Sequence, residues 1–354
     1  MFIKFAIIGG GWRAEFYLRA AQELPDYLEV CAVVEPQALR REYLSQKWNV
    51  SVFENLQEAL DQIPDFIVLC LPIQATMDIM QKSLPNQIPI LTETCPATSE
   101  EMIQEFWRIT ESKFVQIAEQ YQFQPMHAAR LSIIESGLLG NVRQVQISVA
   151  HGYHAISLIR RYLHLNFEDC GIWGKRFISP SIRGPGRNGY PHQEEWIQET
   201  QDHIILDFGE KWAVFDFTDE QYFSKIRTSH LLIRGEKGEI ADEQVSILQD
   251  YHTPLRFHLH RVYEGLDNSL TCPHTEAITG AGQWFYRNPL GTVRLSDEEV
   301  AVATVLTRMY DFVNMGKPFY SVNQYCQDQY LALLMELAVK KESQEFTLKQ
   351  KWMS

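Results

Sequence analysis

Gly9, Gly10, Gly11 and Ala14 stand in "IIGGGWRAEF", directly after an apolar run and directly before a helical pattern. In a G-x-G-x-x-[GA] arrangement the first glycine permits a tight turn and the second lets the backbone approach a pyrophosphate. The small third residue lets helix and strand pack closely. The phosphate charge then rests on the unpaired N–H groups at the helix N-terminus, beside Gly9, Gly11, Trp12, Arg13 and Ala14. Glu35 closes the next apolar run, about 20 residues past the glycines, where a carboxylate accepts hydrogen bonds from both ribose hydroxyls of an adenosine. The same charge repels a 2′-phosphate, so NAD is expected in preference to NADP. Arg40 and Arg41 follow closely and are the residues that could host such a phosphate instead. A glycine turn that binds nothing is the structural alternative.

A second group is His151, Tyr153 and His154 in "AHGYHAISLIRRYL". Imidazole titrates near neutrality, so His154 is the first candidate to take an alcohol proton, with His151 or Tyr153 as relay. A histidine satisfied by a helix N-terminus or by the core is the other reading. No carboxylate or cysteine lies at a helpful local spacing, so no metal is expected. The Gly/Pro loop "SIRGPGRNGYPHQEEW" carries Arg183, Arg187, Tyr190 and His192. Its forked guanidinium groups suit carboxylate or phosphate oxygens, as a gate over an anionic or polyol substrate. A solvated loop or a subunit contact fits it equally. Glu119 and Tyr121, at the end of the last strand of the first half, are further candidates to line the site, because ligands in such folds bind outside the strand carboxyl ends. Tyr121 also fits a purely structural role.

These residues need elements to hold them. Apolar runs at Phe2 to Ile8, "LEVCAVV", "DFIVLCLP", "IPILTE" and "FVQIAE" alternate with helical spacings for about 120 residues, which implies a parallel, doubly wound sheet with right-handed crossovers. "DFIVLCLP" is apolar throughout, as a strand covered on both faces is. Thr98 to Glu101 has the spacing of a capping box, and a later helix opens at Ser296-Asp297-Glu298-Glu299. After Gln124-Pro125 the pattern changes: a helix to Gly137, the strand "VRQVQISVAH", a helix, then alternating apolar and polar residues from about 200 to 260 that read as an antiparallel sheet. Two helices close the chain.

At 354 residues the chain favours two domains. The formal charge of -13 argues against a nucleic-acid groove or an anionic membrane surface, and for a small-molecule partner. No apolar stretch approaches the roughly 20 residues of a membrane span, and the opening residues run into a strand pattern rather than a cleavable leader, so a cytoplasmic protein is expected. The six cysteines show no C-x-x-C spacing and read as reduced, mostly buried thiols.

With these residues in place, the chain resembles the glucose-fructose oxidoreductase, inositol dehydrogenase and rhizopine-catabolism family of NAD(P)-dependent dehydrogenases. The resemblance lies in the succession "VVEP", "DFIVLCLP", "ILTETCPAT", "IIESGLLGNVRQV" and "LIRGEKGEI". It implies a dinucleotide-binding Rossmann domain over residues 1–121, with Leu71, Pro72 and Glu93 also at the cofactor. An α+β domain over 122–354 follows, whose open, mainly antiparallel sheet often makes a homodimer or homotetramer interface, with substrate held between domains. It also implies hydride transfer between nicotinamide and a sugar or polyol carbon. Two of the family's proton-handling motifs are altered. The lysine of E-K-P is replaced by Thr94 when aligned on Glu93, or by Cys95 when aligned on Pro96. In D-x-x-x-H, His154 matches the histidine and Ala150 takes the place of the aspartate. Ile73 and Thr76 likewise stand where the family has asparagine and histidine. The readings left open are an oxidoreductase with a different proton relay, a non-catalytic NAD-binding sensor, and a redox-neutral enzyme that holds NAD tightly.

Overall fold

The computed structural model describes residues 2–83, 87–95, 97–111, 114–266 and 269–353, except the side chains of 264–273. Pro96 and the side chain of Cys272 therefore lie outside the described residues. The chain forms two compact units: Met1–Ala128 with Arg261–Ile278 and Tyr286–Cys326, and Ala129–His260 with Thr279–Phe285 and Gln327–Ser354.

The first unit opens with β1 (Ile3–Ile8), α1 (Ala14–Glu23), β2 (Leu28–Val34), α2 (Ala38–Trp48), β3 (Val52–Phe53) and α3 (Leu56–Leu60). It continues through β4 (Phe66–Leu69), α4 (Ile73–Ser83), β5 (Ile90–Thr92), α5 (Glu100–Thr110) and β6 (Val115–Ile117). The strands form one sheet in the order β3-β2-β1-β4-β5-β6, every pair parallel. This is the doubly wound Rossmann order, in which the direction of winding reverses beside β1. Register decides what the sheet can do. Ile8 pairs with Val34 and with Leu69, and Leu69 with Thr92, so the residues that follow them (Gly9, Glu35, Cys70 and Glu93) emerge along one edge of the sheet. The covered strand anticipated at "DFIVLCLP" is β4, buried at all its positions. Helix α5 is capped by Ser99, whose side chain accepts from the Met102 N–H, rather than by Thr98; the helix begins one residue later than the capping-box spacing suggested.

The second unit holds most of α6 (Pro125–Glu135), then β7 (Val142–Ser148), α7 (Gly152–Tyr162), β8 (Gly171–Ile182), β9 (Trp196–Asp207), β10 (Trp212–Phe215), β11 (His230–Gly235), β12 (Gly238–Ala241), β13 (Gln244–Leu248) and β14 (Pro254–His258). The remaining elements are β15 (His260–Leu266), β16 (Ser269–Gly280), β17 (Gln283–Arg287), α8 (Asp297–Met315), α9 (Val322–Lys341) and β18 (Glu345–Phe346). A nine-stranded sheet runs β14-β13-β12-β11-β7-β10-β9-β8-β18. The hairpins over 200–260 are antiparallel as expected, but β10 lies parallel to β7, so the sheet is mixed. Helix α7 packs on β7, burying Ala155, Ile156, Leu158, Ile159 and Tyr162.

The linear order does not announce where α8 goes. Its residues Val300, Val302, Ala303, Val305, Leu306 and Met309 belong to the core of the first unit, with Phe16, Tyr17 and Ala20 of α1. The helix opens at Ser296 as expected, through a full capping box with Glu299, and Gly316 ends it in the left-handed conformation at φ 66°. No helix of the described residues is long and apolar enough to cross a membrane.

Candidate functional site

The glycine turn divides its work by position. Gly9 has φ 102°, and a Cβ there would stand 2.5 Å from the carbonyl oxygen of Cys70, so the fold itself requires glycine. At Gly11 a Cβ would meet no protein atom within 4 Å. The fold itself does not require glycine there, and the backbone is left open to a close approach. Ahead of α1 the N-cap residue Arg13 makes no side-chain cap, so the positive end of the helix is left for an anion. Glu35 is 8% exposed, and its carboxylate accepts from the Gly10 N–H at 3.2 Å and the Gln37 N–H at 2.9 Å. It is thereby fixed beside the turn. The two arginines behind it are engaged elsewhere. Arg40 donates to the Gly10 carbonyl at 2.7 Å and to Glu15 at 2.7 Å, while Arg41 donates to the carbonyls of Glu35 and Pro36 and to Glu54. A 2′-phosphate would have to compete for both. The residues present fit a dinucleotide with a free ribose diol.

A second ring of contacts surrounds the end of β5. Arg13 donates through Nε to Glu93 and through Nη1 to Glu298 of α8, each at 2.8 Å, and the Tyr17 hydroxyl also donates to Glu93. Burial opposes the Arg13 charge, but Glu93, with Tyr17 and Glu298, more than offsets it and holds the guanidinium pKa above its ordinary value. Arg13 and Glu93, both expected at the cofactor, are therefore tied to each other. Cys95 donates to the carbonyls of Leu71 and Glu93, and Thr76 to that of Leu71. Burial pushes the Cys95 thiol up to about 11, so it is no thiolate at neutral pH. Thr94 is partly buried and carries no charge. Neither position supplies an ammonium. Tyr121 opens a 3-10 turn next to buried Glu119, and its ring lies 6.3 Å from that of His127.

In the second unit the three aromatic residues of the sequence expectation do come together. His151 is the N-cap of α7, and its ring centroid lies 5.3 Å from that of Tyr153 and 5.0 Å from that of His154, with Tyr153 and His154 4.3 Å apart. Tyr153 and His154 are buried at 8% and 6% exposure. His151 is only partly buried and lines a groove of about 680 Å³, together with Arg176, Phe215, Asp219 and Lys340. Burial, and then the neighbouring His154, lower its pKa from 6.5 to about 4, and the positive end of α7 acts in the same sense. At neutral pH the ring is uncharged. Its hydrogen-bond partner is a residue that the sequence did not single out: Tyr222, whose hydroxyl lies 2.6 Å from Nδ1 and accepts from the His151 N–H at 3.1 Å. The Gly/Pro loop caps the β8–β9 hairpin. Arg183 pairs with Glu195 at 2.8 Å, and Gly186 and Gly189 exchange backbone bonds around Arg187. Arg187, Tyr190 and His192 are exposed.

Residues 3–121 match the model of an oxidoreductase family described as having an NAD-binding Rossmann fold. The chain carries that family's dinucleotide-binding domain. No curated protein matches the sequence. Solved structures are similar over nearly the whole length. A myo-inositol dehydrogenase from Corynebacterium glutamicum has a TM-score of 0.66 at 15% identity, covering 99% of this chain and 100% of that one. A levoglucosan dehydrogenase in complex with NADH gives 0.70 at 14%, covering 99% and 100%. An oxidoreductase from Agrobacterium radiobacter in complex with NAD+, L-tartaric acid and magnesium gives 0.67 at 14%, covering 98% of both. At such identities the likeness is one of fold.

The matching family model is described as NAD-binding, and the glycine turn, Glu35 and the strand ends that would hold NAD are all in place in residues 3–121. Arg40, a candidate phosphate host by sequence, instead braces the turn through the Gly10 carbonyl. Glu298 escaped sequence reasoning; it reaches Arg13 from the start of α8. Tyr222 had no local signal at all, since it meets His151 across 71 positions of sequence.

Proposed function

We propose that the protein is an NAD-dependent oxidoreductase acting on the hydroxyl or carbonyl carbon of a sugar-like or polyol substrate. When bound, NAD supplies the hydride acceptor or donor. The turn at Gly9 and Gly11 and the start of α1 hold the pyrophosphate, and Glu35 holds the adenosine ribose. Leu71, Pro72 and the Arg13–Glu93 pair border the rest of the cofactor. The observation that carries the hydroxyl chemistry is the place of His151 at the start of α7, on the lining of a groove of about 680 Å³ and with Nδ1 2.6 Å from the Tyr222 hydroxyl. An uncharged imidazole accepts a proton from an alcohol oxygen as the carbon is oxidised. His154, the first candidate for the proton on sequence, is buried beside Tyr153 against the His151 ring, so the more exposed His151 takes that role here. Thr94 offers a hydroxyl in place of the missing ammonium. Tyr121, Arg187, Tyr190 and His192 are assigned to substrate contact, with Arg183 holding the loop through Glu195. The free, unpaired cysteines 31, 70, 95, 170 and 326 suit a reducing cytoplasm.

NADH fluorescence on titration, followed by turnover against sugars, inositols and their acids, tests this reading. Micromolar binding with turnover of at least one polyol is expected. The second reading is a sensor, favoured by the absence of an ammonium at positions 94 and 95; tight NAD binding with no turnover on the whole panel would establish it over the enzyme.

A further inference from the structure

A proton taken from a substrate by a half-buried imidazole must go somewhere before the next turnover. Without the E-K-P lysine, the surroundings of His151 have to provide that route. The Tyr222 oxygen accepts from the His151 N–H at 3.1 Å, which leaves its own proton and a lone pair to share with Nδ1 at 2.6 Å. The same side chain is 37% exposed. It therefore touches the imidazole at one side and solvent at the other.

Its position is also built. Tyr222 closes a 3-10 turn over Asp219–Tyr222 that begins with a capping box between Thr218 and Gln221. Gln221 accepts from the Thr218 N–H at 2.8 Å and from the Ser148 hydroxyl at 3.1 Å, and donates to the Thr228 carbonyl at 2.8 Å, pinning the turn to the end of β7. Phe217 packs edge-on against the tyrosine ring at 4.8 Å. Glu220 accepts from the Gly184 N–H at 3.2 Å, linking the turn to the Gly/Pro loop.

We propose that Tyr222 is the proton outlet of His151, a relay residue that takes over the exchange with water which the absent lysine would otherwise serve. The inference rests on the polyol oxidoreductase reading. In the oxidative direction the substrate O–H bond breaks and its proton bonds to Nε2 of His151. The Nδ1 proton passes to the Tyr222 oxygen, and the phenolic proton passes to water. The nicotinamide dinucleotide is the oxidant. Imidazole and phenol both end uncharged, with one proton delivered to solvent and the imidazole changed from its Nδ1–H to its Nε2–H tautomer. Loss of the Nε2 proton to water, with Nδ1 reprotonated from water through Tyr222, restores the starting tautomer, and reduction runs the transfer backwards.

The test compares wild type with Tyr222→Phe, which keeps the ring against Phe217 and removes only the hydroxyl. Expected are an unchanged NAD affinity and melting temperature, and a kcat lowered roughly 10- to 100-fold with little change in KM. The solvent deuterium isotope effect on kcat should rise, and added imidazole should restore part of the rate. A Tyr222→Phe enzyme that turns over at the wild-type rate overturns the outlet and leaves the oxidoreductase reading standing. So does a loss accompanied by a lower melting temperature and no rescue, since that marks a merely structural tyrosine. Nitrogen-15 NMR of the labelled imidazole needs no turnover: a His151 Nδ1 resonance that Tyr222→Phe leaves in place overturns the outlet. Wild-type protein that binds NAD and oxidises no polyol overturns the parent reading, and the outlet with it.

Discussion

The two candidate regions of the molecule are built in opposite ways. At the glycine turn the first unit works through its backbone: a positive φ at Gly9, open space at Gly11, a bare helix N-terminus and a row of aligned strand ends. At the start of α7 the second unit brings side chains together: His151, Tyr153 and His154 lie within ring-contact distance of one another, and Tyr222 meets His151. A backbone site is written in consecutive residues and tolerates change in everything but the residues that shape the chain. A side-chain site is assembled by the fold, so a single atom removed from it removes function while the fold persists.

That contrast can be broken most violently at Gly9. Valine there would have to adopt φ 102° with its Cβ 2.5 Å from the Cys70 carbonyl, a cost of roughly 3–5 kcal/mol. Chemical denaturation should show the first unit unfolding at much lower urea, with NAD binding lost as a consequence. The complementary change, His151→Ala, should leave the denaturation curve and the NAD affinity close to wild type while kcat falls roughly 10²- to 10³-fold. Equal losses of stability in the two variants would erase the distinction between a backbone site and a side-chain site.

The same distinction explains what could be read before the fold was known. The alternation of apolar runs and helices, the turn at Gly9 and the acid at Glu35 are local or nearly local, so spacing alone predicts them. So does the cluster at 151–154, because one turn of α7 brings its members together. Tyr222 lies outside the reach of such reasoning: no periodicity links it to His151, and only the pairing of β7 with β10 and β11 sets the ends of these strands side by side. Helix α8 is a similar case. Its start at Ser296 and its stop near Gly316 are visible, but its apolar face carries no mark saying that it belongs with α1. The pairing of Arg40 with the Gly10 carbonyl was hidden for a different reason. An arginine near a nucleotide site has two uses, binding phosphate or bracing a loop, and sequence does not choose between them.

A pH series sharpens the comparison at intermediate size. His151 has a folded pKa of about 4 against 6.5 for an unperturbed histidine, because burial and His154 disfavour its charged form. Between these values the unfolded chain binds the extra proton and the folded one does not. Stability is therefore complete above about pH 6.5 and is lost as pH falls towards 4, by on the order of 2 kcal/mol. Denaturation midpoints measured across that window in wild type and His151→Asn should lie close together at neutral pH and separate at the acid end, wild type losing stability that the variant keeps. A parallel pair of curves would show that His151 is as readily protonated in the folded protein as in the unfolded one.

The smallest effect expected is also the one that isolates the cofactor from the fold. Gly11 has no left-handed backbone, and a methyl group on it would meet no atom of the chain within 4 Å. Alanine should therefore stabilise the free protein slightly, by about 0.4–1 kcal/mol, through a less flexible unfolded chain. The same methyl would occupy the space through which a pyrophosphate reaches the backbone, so the dissociation constant for NAD should rise about tenfold, equivalent to about 1.4 kcal/mol. ADP-ribose should weaken in step, while adenosine, which carries no phosphate to press against the turn, should bind Gly11→Ala and wild type alike. The signs are opposed, and that makes the experiment decisive: a variant that melts higher and binds NAD less tightly assigns the second glycine to the ligand. One that melts higher with unchanged affinity would place the dinucleotide away from the turn, and Glu35 with it.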